Sequence, residues 1–455
     1  MNEELEKQFV VEARVARDYS ASERNANVLR LAYGKTGIEI HVPPEAGIQV
    51  LRSRPCPALP DVHEAIRASL ERPIASAPLG ELARGRSNAC IVISDITRPV
   101  PNAILLPPIL ATLESAGIAR EAIAILIATG IHRPNLGDET IELVGPQIAR
   151  DYRIVNHMSR DENELRSVGR TRAGIPIVVN RHYLDADLKI LTGFIEPHLW
   201  AGYSGGRKAI LPGITGLETM KHMHGFEMIA HPGTRYGNLE ANPFHEAGLE
   251  VAERVGIDFI VDITLNESRQ ITGVFAGHYD KAHLEGAQFC EKWVVAEVAE
   301  PVALAITCGG GYPLDKTLYQ TVKGISGANP IVRRGGTILV ASRCEEQAGS
   351  PEFTRLLERA ESVENFFAMI RRPDFFEVDQ WIAQEMYQIL KEKRIALFSE
   401  GLATEQIARY LLEPVDDLQD YMDRFLERTP NARVAVIPEG PYVITRLQRA
   451  TNSRQ

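Results

Sequence analysis

Cysteine is scarce in this chain: five in 455 residues (Cys56, Cys90, Cys290, Cys308, Cys344), scattered and never in a C-x-x-C pair. That excludes a disulfide framework and a cysteine-built zinc site, and it predicts reduced thiols in a cytoplasmic protein. Long apolar runs are missing as well. The longest, such as IAILIATGI, are strand-sized, and the opening MNEELEKQFVVEARVARD lacks the apolar segment of a secretory signal. Positive charge is in deficit, with 50 Lys and Arg against 60 Asp and Glu for a net charge of -10 and no basic stripe to offset it. Neither nucleic acid nor a membrane is therefore an expected partner. Nucleotide and metal signatures are lacking too. No G-x-G-x-x-G follows a strand, and no H-E-x-x-H is present. The Walker pattern fails because Arg207 and Ala209 flank Lys208 where glycine and a hydroxyl residue are needed.

What is present reads as an α/β protein. Hydrophobic residues at 44% and charged residues at 24% are ordinary for a globular chain, and 455 residues exceed one core, so two domains are expected. VLRLAYGKTGIEIHV reads as an early hairpin. After the proline-rich Arg52 to Pro60, the strands ACIVISD, AIAILIATG, RIVNH and DLKILTGF alternate with helical stretches. A second such unit begins near Ala299 with VALAITC, then the turn GGGYPLD, a helix over TLYQTVKGISGAN and the strand GGTILVAS. Continuous apolar strands joined by helices predict two largely parallel sheets flanked by helices, with the active site in the cleft between domains. The expected division is an extension at 1–27, a first domain at 28–285 and a second at 286–455 whose final strand packs back on the first.

Ligands in such sheets sit beyond the carboxyl ends of the strands. Three loops fall there in the first domain. S-D-I-T-R-P carries Asp95 and Arg98, T-G-I-H-R-P carries His132, and GFIEPHLWAGYSGGRK carries His198, Gly205, Gly206 and Lys208. Alone, each pair reads as readily as a cap with a surface cation; the repeated placement turns the reading toward a site. Arginine suits a carboxylate or phosphate, and histidine suits proton transfer near neutrality. Lys208 is compatible with a phosphate holder, a Schiff-base nucleophile or a covalent cofactor anchor. His222 and His224, two apart on a helix, would not chelate one metal together. In the second domain Tyr319, Gln320 and Lys323 share a helix, with Gln320 and Lys323 on one face, and Trp381 reads as core.

The pattern resembles the LarA family of nickel-dependent lactate racemase and related 2-hydroxy-acid racemases and epimerases. The matching pieces are D-I-T-R-P at Asp95 to Pro99, G-I-H-R at Gly130 to Arg133, and E-P-H with A-G-Y-S-G-G-R-K at Glu196 to Lys208. A histidine sixteen residues after Lys208, P-L-D-K-T-L-Y-Q-T-V-K-G at Pro313 to Gly324 and D-Q-W at Asp379 to Trp381 extend the match. The resemblance implies racemisation or epimerisation at C2 by hydride transfer through a 2-keto acid. It also implies nickel and a pyridinium-3-thioamide-5-thiocarboxylic acid mononucleotide, the nickel-pincer nucleotide, attached to Lys208 and loaded by dedicated biosynthesis proteins. His224 would ligate nickel, and His132 and His198 would be the acid/base pair. Arg98, Asp95, Gly205 and Gly206 would face the cofactor, while Arg98, Tyr319, Gln320, Lys323 and Trp381 would hold a small anionic 2-hydroxy acid. Leu199 and Trp200 crowd the place where substrate size would be decided. Two alternatives stand beside this reading: a lysine Schiff-base lyase or isomerase of a keto acid, and a non-catalytic nucleotide-cofactor-binding protein.

Overall fold

The computed structural model describes residues 28–43, 47–372 and 374–448. The expected extension at 1–27 lies outside the described residues. The described chain opens with an antiparallel hairpin, β1 (Val28–Leu31) and β2 (Ile38–His41), paired Val28 to His41 and Leu31 to Ile38, followed by the short strand β3 (Gln49–Val50).

Pro55–Trp293 folds as one compact unit. Its strands are β4 (Ala89–Ser94), β5 (Ile123–Ala128), β6 (Arg153–Asn156), β7 (Leu165–Arg170), β8 (Pro176–Asn180), β9 (Leu188–Phe194), β10 (Pro197–His198), β11 (Gly202–Tyr203), β12 (Phe259–Leu265) and β13 (Ile271–Gly277). Six of them form a sheet in the order β13-β12-β9-β4-β5-β6. It is parallel except for β13, which runs antiparallel to β12. The apolar runs dictate this. Ile91, Ile93, Ile125, Ile127, Ile190 and Val261 have no exposed surface and pack with Ile66 from helix Val62–Glu71 and Leu105, Ile109 and Leu113 from helix Asn102–Ser115. Burial of this kind stabilises by about 25 cal/mol per Å² of apolar surface. Asp61 starts the first helix by accepting the Glu64 N–H at 2.9 Å.

The second unit takes the described residues up to Arg54 together with those from Val294 onward. After β14 (Val295–Val298) come β15 (Val302–Cys308), β16 (Val332–Ala341), β17 (Arg394–Phe398), β18 (Glu413–Val415), β19 (Val434–Val436) and β20 (Ile444–Leu447). Its six-stranded sheet is parallel throughout, in the order β18-β17-β16-β15-β19-β3. The expected fold class, largely parallel sheets flanked by helices, is what the chain adopts.

The division at 28–285 and 286–455 needs correcting at both ends. The hairpin cannot leave its apolar face in water, and it buries Leu31, Tyr33, Ile40 and Val42 among Leu304, Ile306, Leu339 and Val436 of the second unit. β3 is the last strand of the second sheet, paired with β19. The last described strands belong to the second unit: β19 lies inside its sheet, and β20 pairs with β14. Among the described residues no helix is long and apolar enough to cross a membrane.

Candidate functional site

In the first sheet, β5 and β6 lie to one side of β4, while β9 and β12 lie to the other. The order therefore reverses between β4 and β9, and a crevice opens outside the carboxyl ends at such a point. The loop after β4 begins at Asp95 and the loop after β9 leads to Lys208, so the switch point gathers the predicted residues. Two contacts tie the loops together. His132 Nδ1 lies 2.7 Å from Asp95 Oδ2, and Arg98 forms an ion pair with Glu196.

Asp95 is 4% exposed and also accepts the Thr97 hydroxyl at 2.7 Å. Burial pushes its carboxyl up, but the hydrogen bonds from His132 and Thr97 and the charges of His132 and Arg98 outweigh it and hold the group below its ordinary value. An ionised Asp95 takes the Nδ1 hydrogen of His132 and leaves the Nε2 lone pair outward on a half-exposed ring. His198 has the opposite arrangement. Its Nδ1 accepts the backbone N–H groups of Trp200 and Ala201, each at 3.2 Å, which puts the ring hydrogen on Nε2.

The tight hairpin β10–β11 sets His198 across from Gly202. Gly202 must be glycine: at φ +77 a Cβ would stand 2.2 Å from the Asn238 carbonyl oxygen. Beyond it, Gly205 and Gly206 have φ of +83 and +51 and deliver Lys208, whose N–H donates to the Gly205 carbonyl at 3.1 Å. Gly206 donates its N–H to the fully buried Asp262 at 3.1 Å, and Asp262 is also 3.2 Å from His283 Nδ1.

A small, partly open cavity lies here, lined by His198, Ala201, Arg207, Lys208, Leu211, Pro212, His224 and Phe244. His224 caps helix Leu217–Met223 and is 6% exposed. Its Nδ1 lies 3.3 Å from the Met220 carbonyl, so that nitrogen carries the hydrogen and Nε2 keeps its lone pair. Burial, with the Lys208 charge beside it, lowers its pKa to about 3, so the ring is neutral at physiological pH. Trp200 meets it edge-on at 5.4 Å and Phe244 at 5.6 Å. His222 instead turns outward and bonds the Glu218 carbonyl, as the spacing predicts. Among the described residues no three His, Cys, Asp or Glu side chains gather to hold a metal by themselves.

The predicted residues of the second unit also cluster, within that unit. Trp381 opens helix Gln380–Leu390 and donates its indole N–H to the Tyr319 hydroxyl at 3.1 Å. Tyr319, Gln320 and Lys323 lie on helix Leu318–Ala328, and burial and the nearby Asp379 push the Tyr319 phenol up. Gln320 Oε1 is buried without a hydrogen-bond partner.

Sequence reasoning missed several residues that build the site. Glu196 holds Arg98. Asn242 caps helix Pro243–Val255 while donating to the Trp200 carbonyl at 2.7 Å, which fixes Phe244 against the histidine loop. Asp262, His283 and Arg207 lie buried around the glycine turn. Asp262 had a signal, a carboxylate inside the apolar strand FIVDITL, and Arg207 sat within the A-G-Y-S-G-G-R-K piece; His283 had none.

Residues 33–237 match the family model described as the lactate racemase N-terminal domain, and residues 298–445 match the lactate racemase C-terminal domain. The lactate racemase of Thermoanaerobacterium thermosaccharolyticum is 33% identical over 424 residues, 92% of this chain and 99% of that protein. The lactate racemase of Lactiplantibacillus plantarum is 36% identical over 387 residues, 84% of this chain and 91% of that protein. The solved apoprotein structure of the Thermoanaerobacterium enzyme superimposes with a TM-score of 0.86 at 32% identity, covering 92% of this chain and all of that one. A Thermotoga maritima protein, at 18% identity and a TM-score of 0.65, shares the fold.

Proposed function

The chain belongs to the lactate racemase (LarA) family, and on that premise we propose that it is an isomerase that inverts C2 of a small anionic 2-hydroxy acid. The observation that carries the reading is the meeting, in one cavity, of the Lys208 amine and a neutral His224. That donor set fits a metal whose remaining ligands arrive with a cofactor. In this reading Lys208 anchors the nickel-pincer nucleotide, His224 ligates its nickel, and Asp95, Arg98, Gly205 and Gly206 flank it. When bound, that group supplies a hydride acceptor, which suits a carbon whose proton is too weakly acidic to be removed as such.

The chain's own residues manage the hydroxyl proton and the charge. His132, backed by Asp95, offers Nε2 as a base, and the carboxylate stabilises the imidazolium that results. His198 holds a hydrogen at Nε2 and can present it to a carbonyl oxygen. The pair thus rests with one lone pair, able to take the C2 hydroxyl proton, and one donor, able to hydrogen-bond the same oxygen once it is a ketone. The reading assigns substrate holding to Arg98 in the first unit and to Tyr319, Gln320, Lys323 and Trp381 in the second, the cations suiting a carboxylate. The reading places the protein in the cytoplasm, in keeping with five free cysteines, and calls for partner proteins that load the cofactor.

The test is the mass of the Lys208 peptide together with nickel content, on protein made beside the cofactor-loading enzymes, followed by chiral chromatography of hydroxy acids. A mononucleotide-sized adduct, stoichiometric nickel and inversion are expected. An unmodified lysine without nickel, from a host that loads a known family member, sinks the reading.

A further inference from the structure

Arg207 stands directly before Lys208, is 3% exposed and lines the same cavity. It makes no ion pair among the described residues, and its Nε and Nη1 have no hydrogen-bond partner. A guanidinium stays charged under physiological conditions, and burying its donors without hydrogen bonds is costly. The charges of Asp280 and Asp262 offset part of that cost, but neither carboxylate hydrogen-bonds Nε or Nη1. Asp262 spends its oxygens on the Gly206 N–H and His283. The nearby imidazoles are neutral: burial and then the Arg207 charge lower His245 to about 3, and the same causes lower His283. His245 Nδ1, His283 Nε2 and Asp280 Oδ1 are likewise buried without partners. Room for the arginine is made by Gly248, where a Cβ would stand 2.9 Å from Arg207 Cγ. The residue beside Lys208 on the cavity lining is therefore a permanent cation whose Nε and Nη1 make no hydrogen bond.

We propose that Arg207 is an oxyanion-binding residue of this cavity, taking the phosphate or the carboxylate of the molecule that lodges beside Lys208. The phosphate of a pyridine mononucleotide is the favoured source, since it carries more negative charge than a carboxylate and two of its oxygens can take the guanidinium's donors side by side. The proposal rests on the cofactor reading above, but its test needs neither loading nor turnover, so either can fail while the other stands.

The experiment follows thermal unfolding of the full-length, unloaded protein with nicotinic acid mononucleotide, its phosphate-free riboside, inorganic phosphate or lactate. Saturating mononucleotide is expected to raise Tm by about 5 °C, and the riboside by little. The increment should vanish in Arg207→Met. Lactate protection that vanishes in the same variant keeps the oxyanion site and assigns it to the substrate carboxylate. Equal protection by mononucleotide and riboside without any by lactate, or responses that persist in Arg207→Met, overturns the proposal. Should Arg207→Met fail to fold, Arg207→Lys keeps the charge and loses the planar fork; at least tenfold weaker mononucleotide binding is expected, and unchanged affinity overturns the proposal.

Discussion

Each of the two six-stranded sheets sends a glycine-rich loop out from its carboxyl edge, and the two loops differ in what fills the space glycine frees. After β9, Gly205 and Gly206 lie against buried Asp262 and His283, and Lys208 is delivered to a cavity. After β15 come Gly309, Gly310 and Gly311, and there the space is taken by more chain. A Cβ on Gly309 would stand 2.5 Å from Ser342 Oγ, and one on Gly440 would stand 2.2 Å from the Cys308 carbonyl oxygen. Even the buried Asp315 of that edge is used internally, accepting the Gly34 N–H at 2.6 Å. Glycine after a strand thus signals close approach, and the chemistry of the neighbours decides whether a ligand or a peptide does the approaching.

The largest test of that contrast is Lys208→Ala. It should abolish nucleotide and nickel retention and all turnover, read by intact mass, metal analysis and chiral assay; a variant that keeps both would remove the first loop's special status. His132→Asn and His198→Asn should each lower kcat by about 10²- to 10⁴-fold while the Lys208 adduct persists. Asp95→Asn should cost less, roughly tenfold to a hundredfold, the range expected when a histidine loses its orienting partner.

Acid should separate the two units next. Burial lowers His157 to about 4 and His245 to about 3, and both lie in Pro55–Trp293; the described histidine of the other unit, His41, is exposed. A depressed histidine excludes a proton that the unfolded chain binds, so stability falls as pH drops from about 6.5 toward the folded value, on the order of 3 kcal/mol for each such group. Hydrogen exchange at pH 5 should therefore show protection lost first in peptides of Pro55–Trp293, and uniform loss across both units would contradict the comparison. Smallest is the glycine pair itself. Gly440→Ala, at φ +57, should cost about 2 kcal/mol of stability and leave nickel per folded molecule unchanged. Gly206→Ala should cost less stability but reduce loading, because its Cβ would press the His283 ring at 3.0 Å and tilt the turn that carries Lys208.

Much of this was legible in the sequence because it is local. Continuous apolar runs named the strands, and the loops after β4, β5 and β9 carried their polar residues at the edge where parallel sheets bind. What sequence could not supply was pairing at a distance. Nothing near Arg98 pointed to Glu196, nothing near Gly206 pointed to Asp262, and β12, with its buried aspartate, went unrecognised as a strand of this sheet. The hairpin β1–β2 misled for the same reason: adjacency in sequence suggested the first unit, whereas its apolar face fits residues nearly three hundred positions later.

That split connectivity also bears on how the protein emerges from the ribosome. Pro55–Trp293 is continuous and can close its core once its own strands have been made. The hairpin and β3 are synthesised before it, yet their partners β15 and β19 come after it. At about 5 to 20 residues per second, they wait for roughly ten seconds to a minute with their apolar face unsheltered. The second unit is thus the one whose assembly must wait for the first unit to be made, and its first strands are the stretch a chaperone would meet uncovered.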